Sequence, residues 1–254
     1  MKTMTGFKTL VRREVVRFLS VFSQTIFPPL VSSFLYIFIF GLSLGQRIEQ
    51  VNGLPYLNFL IPGLIMMYVI EGSYANTSSS LFISRWANSI EEILVTPLSY
   101  VEMVAAILIG GLVRSAVAVT GVYLVSLLFT VTPITHPVVA LFFFIFVSLT
   151  FSSIGMIVAL VAEEFEHLSL VTTFLITPFV FFGGVFHSIT MVPETLRWLT
   201  HFNPMFYMVN GLRYGMLGTA DAPVFMSMSV IFGLFIVLFS VTVYLFRIGY
   251  KLRK

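Results

Sequence analysis

The sequence predicts an all-α, polytopic membrane protein with six transmembrane helices, an N-terminal interfacial amphipathic helix and a short re-entrant helical pair before the last span. Three observations point there. Of 254 residues, 58% are hydrophobic and 10% charged, against roughly 25% charged in an ordinary soluble domain. Several apolar runs reach the roughly 20 residues that a helix needs to cross a hydrocarbon core about 30 Å thick. The basic residues crowd the two ends beside apolar runs, so a positive-inside signal explains the net charge of +3 better than contact with nucleic acid does. With no cysteine, a disulfide framework and a thiolate metal site are both excluded. No cleaved leader is expected ahead of the first span.

Residues 5–20 place Phe7, Leu10, Val11, Val15 and Phe18 at helical spacing, with Lys8, Arg12, Arg13 and Arg17 on other faces. This is the pattern of a basic amphipathic helix lying in the membrane interface. The first span is expected over about residues 23–44, with Pro28 and Pro29 early, where missing amide donors do least harm. The second covers about 58–80. The third covers about 101–129 and is closed by Thr132, Pro133, His136 and Pro137, a set that makes a tight reversal. The fourth runs to about Val161. An acidic patch, Glu163, Glu164 and Glu166, separates it from the fifth, about 169–187, which Gly183 and Gly184 loosen near its end. The sixth covers about 224–246.

Six crossings put both ends on one side. Lys2, Lys8, Arg12, Arg13, Arg17, Arg85, Arg247, Lys251, Arg253 and Lys254 fall on that side. Only Arg47, Arg197 and Arg213 fall on the other, and Arg114 lies within the third span. Both termini are therefore expected in the cytoplasm. Neither an internal repeat nor a low-complexity linker interrupts the chain, so residues 1–254 read as one transmembrane domain.

The cytoplasmic segment 83–103 contains two candidate capping boxes, Ser89 with Glu92 and Ser99 with Glu102. Thr96 and Pro97 stop the short helix between them. On it Trp86, Ile90, Ile93 and Leu94 recur at helical spacing beside Arg85, Glu91 and Glu92. A short amphipathic helix outside the membrane fits a partner's groove, or else packs on the chain's own cytoplasmic face or on lipid headgroups.

Residues 181–221 have a different character. Asn203 is a good N-cap and Pro204 a good first helical residue, so a helix should begin there and end near Gly218. Pro193 should open another short helix carrying Trp198. The two read as short helices dipping into the outer leaflet, over about residues 190–218, with Arg213 among them. Irregular backbone at that depth survives only where protein or water satisfies it. An ordinary extracellular loop is the alternative.

Two ionisable residues interrupt the spans, Glu71 in the second and Arg114 in the third. An intramembrane charge costs a few kcal/mol or more unless paired or wetted. Antiparallel neighbours would bring the two near one depth, which permits an ion pair, a polar pathway or a proton relay. Apparent enzyme motifs do not survive inspection. Gly41-Leu42-Ser43-Leu44-Gly45 has the nucleophile-elbow pattern without the strand and helix it needs. His136, His167, His187 and His201 lack metal-ligand spacing. The four lysines are Lys2, Lys8, Lys251 and Lys254, and none sits in a phosphate-binding loop, so this chain holds no P-loop ATPase site.

NFLIPGLIMMYVI in the second span, SIEEILVTPLSYVE in the cytoplasmic segment and TPFVFFGGVFHSITMVPETLRWLTHFNPMFYMVNGLRYGMLG after the fourth occur in an order and spacing that resemble the type-2 ABC exporter permeases. The likeness covers residues 20–250 and leans toward the branch containing the nodulation-factor and daunorubicin exporter permeases. It implies a six-span half-transporter that dimerises and pairs with two copies of a separate P-loop ATPase. That partner would bind ATP and Mg, and this chain would need no cofactor and catalyse nothing itself. It further implies that residues 84–95 form a coupling helix, 5–20 a connecting helix, and Pro193 to Gly218 a cap over the exit.

Three rivals stay open. An ion-coupled secondary transporter or channel would use Glu71 and Arg114. A membrane-embedded hydrolase would rest on Ser43 alone, and a purely structural subunit needs no chemistry. An apolar interior with 28 phenylalanines admits a lipid, a lipid-linked glycan or an amphipathic drug as cargo, and no substrate-binding residue is identified.

Overall fold

The computed structural model describes residues 2–44, 50–51 and 53–252. Gly45, Arg47, Arg253 and Lys254 of the readings above lie outside them. Among the described residues the regular structure is helical apart from one two-stranded hairpin, β1 (Gln50–Val51) with β2 (Leu54–Pro55).

Helix α1 (Lys2–Ser20) is amphipathic as expected. Its buried stripe is Leu10, Glu14 and Phe18, four residues apart, so a carboxylate takes the middle apolar position. The helix runs along α5 (Tyr100–Ser126), with Gly6 against Leu98 and Glu14 against Gly110. Glu14 accepts from Ser80 Oγ at 2.6 Å, and Arg17 donates to both Asn76 oxygens of α3 (Tyr56–Trp86), O at 3.0 Å and Oδ1 at 2.9 Å. Polar bonds as well as apolar packing therefore pin α1 to the spans.

Helix α2 (Phe22–Tyr36) continues into a π-helical stretch, Ile37–Leu44. Pro28 and Pro29 lie inside it, and Ser32 Oγ donates to the Pro28 carbonyl at 2.8 Å. Helices α3, α5 and α6 (Pro137–Val161) form the centre, with α3 the most enclosed of the spans. The second half of α3 opens Glu-Gly-Ser-Tyr-Ala-Asn-Thr-Ser-Ser-Ser. Its hydroxyls bond back to their own helix, Ser73 to Val69 O at 2.6 Å and Ser79 to Ala75 O at 2.6 Å, while Thr77 also reaches Ser152 O of α6 at 2.9 Å. Small, self-satisfied side chains let helices approach closely where lipid offers no hydrophobic drive.

Among the described residues five helices are long and apolar enough to cross a membrane: Phe22–Gly41, Tyr56–Trp86, Tyr100–Ser126, Pro137–Val161 and Val224–Arg247, the last being α11. The expected fifth span is the shorter apolar segment Glu166–Phe182, built of α7 (Glu166–Val171), a π turn at Thr172–Ile176 and α8 (Thr177–Phe182). Gly183 and Gly184 end it. Gly184 has φ +85°, a conformation that side chains rarely adopt, so the chain turns there instead of completing a full-length helix.

The hairpin end of the bundle is closed by 3-10 turns at Ile189–Met191 and Glu194–Leu196, then α9 (Arg197–Phe202) and α10 (Pro204–Leu217). Asn203 caps α10, accepting from Met205 N at 3.0 Å, Pro204 is its first residue, and Gly218 ends it at φ 75°, as the sequence indicated. Helix α10 is buried along most of its length against α3, α6 and α11. Gly211 makes this possible, since any Cβ there would overlap the Phe143 ring. The α5–α6 reversal covers the end of α10: His136 N donates to Gly215 O at 2.8 Å and Thr135 N to Met216 O at 3.0 Å.

Candidate functional site

The end of the bundle opposite the β1–β2 hairpin is assembled from the end of α3, the short helix α4 (Ile90–Leu94), the α6–α7 turn and the tail after α11. Helix α3 ends at Trp86 because Asn88 turns the backbone to φ 57°, which asparagine tolerates better than most residues. That turn breaks the helical period, so Trp86 does not share one face with Ile90 and Ile93. The expected stripe of Trp86, Ile90, Ile93 and Leu94 is corrected accordingly. Ile90 is 1% exposed and Ile93 is buried with it, in a cluster with Leu10, Leu98 and Met103, and Leu94 is half-buried. Trp86, at 71% exposure, faces outward with Ile83, Glu91, Glu92 and Val95.

The two expected capping boxes also divide. Ser99 and Glu102 form theirs, with Ser99 N donating to Glu102 Oε2 at 2.8 Å and Glu102 N to Ser99 Oγ at 3.3 Å. Ser89 is in helical conformation and its hydroxyl donates to Ser84 O at 3.3 Å, so no box with Glu92 forms. Arg85 is no free docking cation either. Its Nη1 donates to Ala159 O, and to Ala162 O at 3.2 Å, and its Nε donates to Lys251 O at 2.7 Å. A cation there suits the negative end of α6. Clefts of about 310 and 410 Å³ flank Trp86, with Glu163 on both walls, and one of about 600 Å³ opens between α1 and α4, with Arg13 and Glu92 beside it.

Glu71 and Arg114 each stand one residue before a close contact, Gly72 against Ser115, on antiparallel helices, so they share one level. Both are half-buried, and among the described residues neither forms a hydrogen bond or ion pair with the other or with anything else. The expected bridge is absent.

At the hairpin end Pro193 and Trp198 are exposed, whereas Asn203 is buried and donates to Phe179 O at 2.6 Å. Arg213 is 2% exposed. Its guanidinium carbon lies 3.8 Å above the Phe59 ring, Nη2 donates to Gly184 O at 2.7 Å, and Nη1 lies 3.7 Å from Asp221 Oδ2. Asp221 Oδ1 accepts from Ser188 at 3.0 Å, and Asn210 Oδ1 accepts from Asp221 N at 2.6 Å. Asp221, Asn210 and Ser188 went unnoticed in the sequence. Polar residues inside an otherwise apolar stretch were the available signal.

A family model described as "ABC-2 type transporter" matches residues 5–217. The inner membrane transport permease YadH of Escherichia coli (strain K12) is 38% identical over 216 residues, 85% of this chain and 84% of the relative. Nodulation protein J of Rhizobium meliloti (strain 1021) is 26% identical over 209 residues, 82% of this chain and 80% of the relative. Nodulation protein J of Rhizobium leguminosarum bv. viciae is 24% identical over 237 residues, covering 93% and 92%. Family match, relatives and span-forming helices agree, and the chain belongs to the ABC-2 type transporter family as a multi-pass membrane permease.

Proposed function

We propose that this permease is the membrane half of an ATP-driven exporter in the bacterial inner membrane. It would work as a homodimer with two copies of a separate P-loop ATPase that binds the ATP and Mg. Both termini would be cytoplasmic, the segment Glu166–Phe182 with its turn would supply the sixth crossing, and α9 and α10 would cap the exit from within the outer leaflet. The cargo class is an amphipathic molecule that is lipid-like, glycan-linked or drug-like.

The observation that carries this reading is the exposure of Trp86. A large exposed aromatic beside a short helix whose Ile90 and Ile93 are held in the chain's own core is an anchor without a pocket. Glu91 and Glu92 beside it suit a basic rim, and acidic groups are repelled by anionic headgroups, which argues against a lipid-facing role.

The test is a photo-crosslinking residue at Trp86 or Val95, in cells that also express a P-loop ATPase encoded beside this reading frame. Crosslinks to that ATPase are expected. Trp86→Ala should weaken its co-purification by at least about 30-fold, the equivalent of a 2 kcal/mol anchor, with the membrane domain still folded. Full ATPase binding and transport by Trp86→Ala would defeat the assignment. The unpaired Glu71 and Arg114 keep one rival alive, and transport by this chain alone, driven by an ion gradient without any ATPase, would establish it.

A further inference from the structure

We propose that Arg17, Arg114 and Asn76 form a receiving site for the anionic headgroup of a membrane amphiphile, in the seam where α1, α3 and α5 meet. Helix α5 turns Gly110 toward Glu14 of α1 and Asn76 of α3, which fixes the junction. The contacts of Gly6 with Leu98 and of Gly110 with Glu14 run in the same order along both helices, so α1 and α5 are parallel, and one turn further along Arg17 and Arg114 come to one level. The junction's carboxylate is already committed: Glu14 accepts from Ser80 at 2.6 Å and lies 3.4 Å from Arg17 Nε. Arg17 Nη2 is likewise committed to the two Asn76 oxygens. What remains among the described residues is a half-buried Arg114 with no hydrogen bond or ion pair, and a wholly buried Asn76 Nδ2 with no acceptor.

Two guanidinium groups at one level, only one of which meets a carboxylate, call for a second anion. A phosphate or carboxylate presents at least two oxygens, which matches the guanidinium fork and leaves one for Asn76. Its carrier must be amphipathic, because the face of α5 that bears Gly110 and Arg114 continues to Gly121 against Leu30 of α2, and α2 exposes Phe27, Val31 and Phe34 beside it. An anionic phospholipid of the bilayer and an anionic cargo share this chemistry. Glu71, level with Arg114, is the internal competitor. The site stands whether or not the chain is driven by an ATPase.

The experiment uses the full chain in a neutral detergent, with dodecyl phosphate as probe against dodecyl phosphocholine and inorganic phosphate. Dodecyl phosphate should bind saturably and raise the unfolding temperature. Phosphocholine with the same tail, and phosphate without one, should not do so at the same concentration. Arg114→Gln should weaken dodecyl phosphate about tenfold or more, Arg114→Lys less, and Glu71→Gln should leave it unchanged or tighten it. Mass spectrometry of lipid retained from membranes identifies the source: an anionic phospholipid points to the bilayer and a different anionic amphiphile to cargo, whereas retention of zwitterionic lipid alone speaks against the site. Equal binding of the two dodecyl compounds overturns the proposal without need of any variant. So does unchanged affinity in Arg114→Gln, including the case where that variant instead dissociates the chain from a second copy.

Discussion

Two arginines in apolar surroundings sit at different levels of the bundle and are treated differently. Arg213, at the hairpin end, is met on three sides by Phe59, Gly184 O and Asp221, although its Nε finds no acceptor. Arg114, at the middle of α5, is half-buried and has no bonded partner among the described residues. The hairpin end is thus a closed polar knot tying the turn after α8 to α10 and α11, while the α1–α3–α5 seam is a polar junction left incomplete. Burial of a cation does not by itself mark function. The inventory of partners separates a structural charge from an available one.

The first way to break this comparison is at the closed end. Arg213→Ala strands Asp221 in the interior and should cost about 3–5 kcal/mol, read as a large fall in unfolding temperature in detergent, and Arg213→Met with Asp221→Asn should recover much of it. A single variant as stable as the parent would mean that the knot does not hold the hairpin end. Next, at the α4 end, Ile90→Ala should cost about 2–4 kcal/mol through the cavity it leaves, whereas Trp86→Ala should stay within about 0.5 kcal/mol of the parent. Equal losses in the same assay would contradict the division between core and exposed residues. Ser99→Ala removes the formed capping box at the start of α5 and should cost about 1 kcal/mol, while Ser89→Ala, at the box that does not form, should cost less. Last, Arg114→Gln without ligand should change stability by no more than about 0.5 kcal/mol in either direction. A loss on the scale of Arg213→Ala would show that Arg114 has a partner after all, and a double-mutant cycle with Glu71→Gln would say whether Glu71 is that partner.

Much of this was legible because lipid simplifies sequence. Five spans followed from apolar run length, and Asn203, Pro204 and Gly218 announced the start and end of α10 through backbone chemistry that acts within one turn. The failures share a cause in register or distance. Trp86 and Ile90 look like one stripe only if the helix is unbroken, and a single positive φ at Asn88 separates them. Ser89 has the right neighbour for a box but the wrong backbone conformation. Glu14 could have been noticed, since it stands four residues from both Leu10 and Phe18 on the buried stripe. Arg213 could not be placed, because its partners Phe59, Gly184 and Asp221 lie on three separated segments. Periodicity carries no information across such gaps. The short fifth apolar segment was drawn at full length because hydropathy does not register the turn at Gly184.

The bonds of Arg85 have a mechanical meaning. One guanidinium grips the carbonyls at the end of α6 and the tail after α11 while its own backbone is the last turn of α3. Three helix ends are thereby clamped together one residue from Trp86. A load applied at Trp86 cannot bend α3 alone. It is shared among the three helices whose ends Arg85 joins.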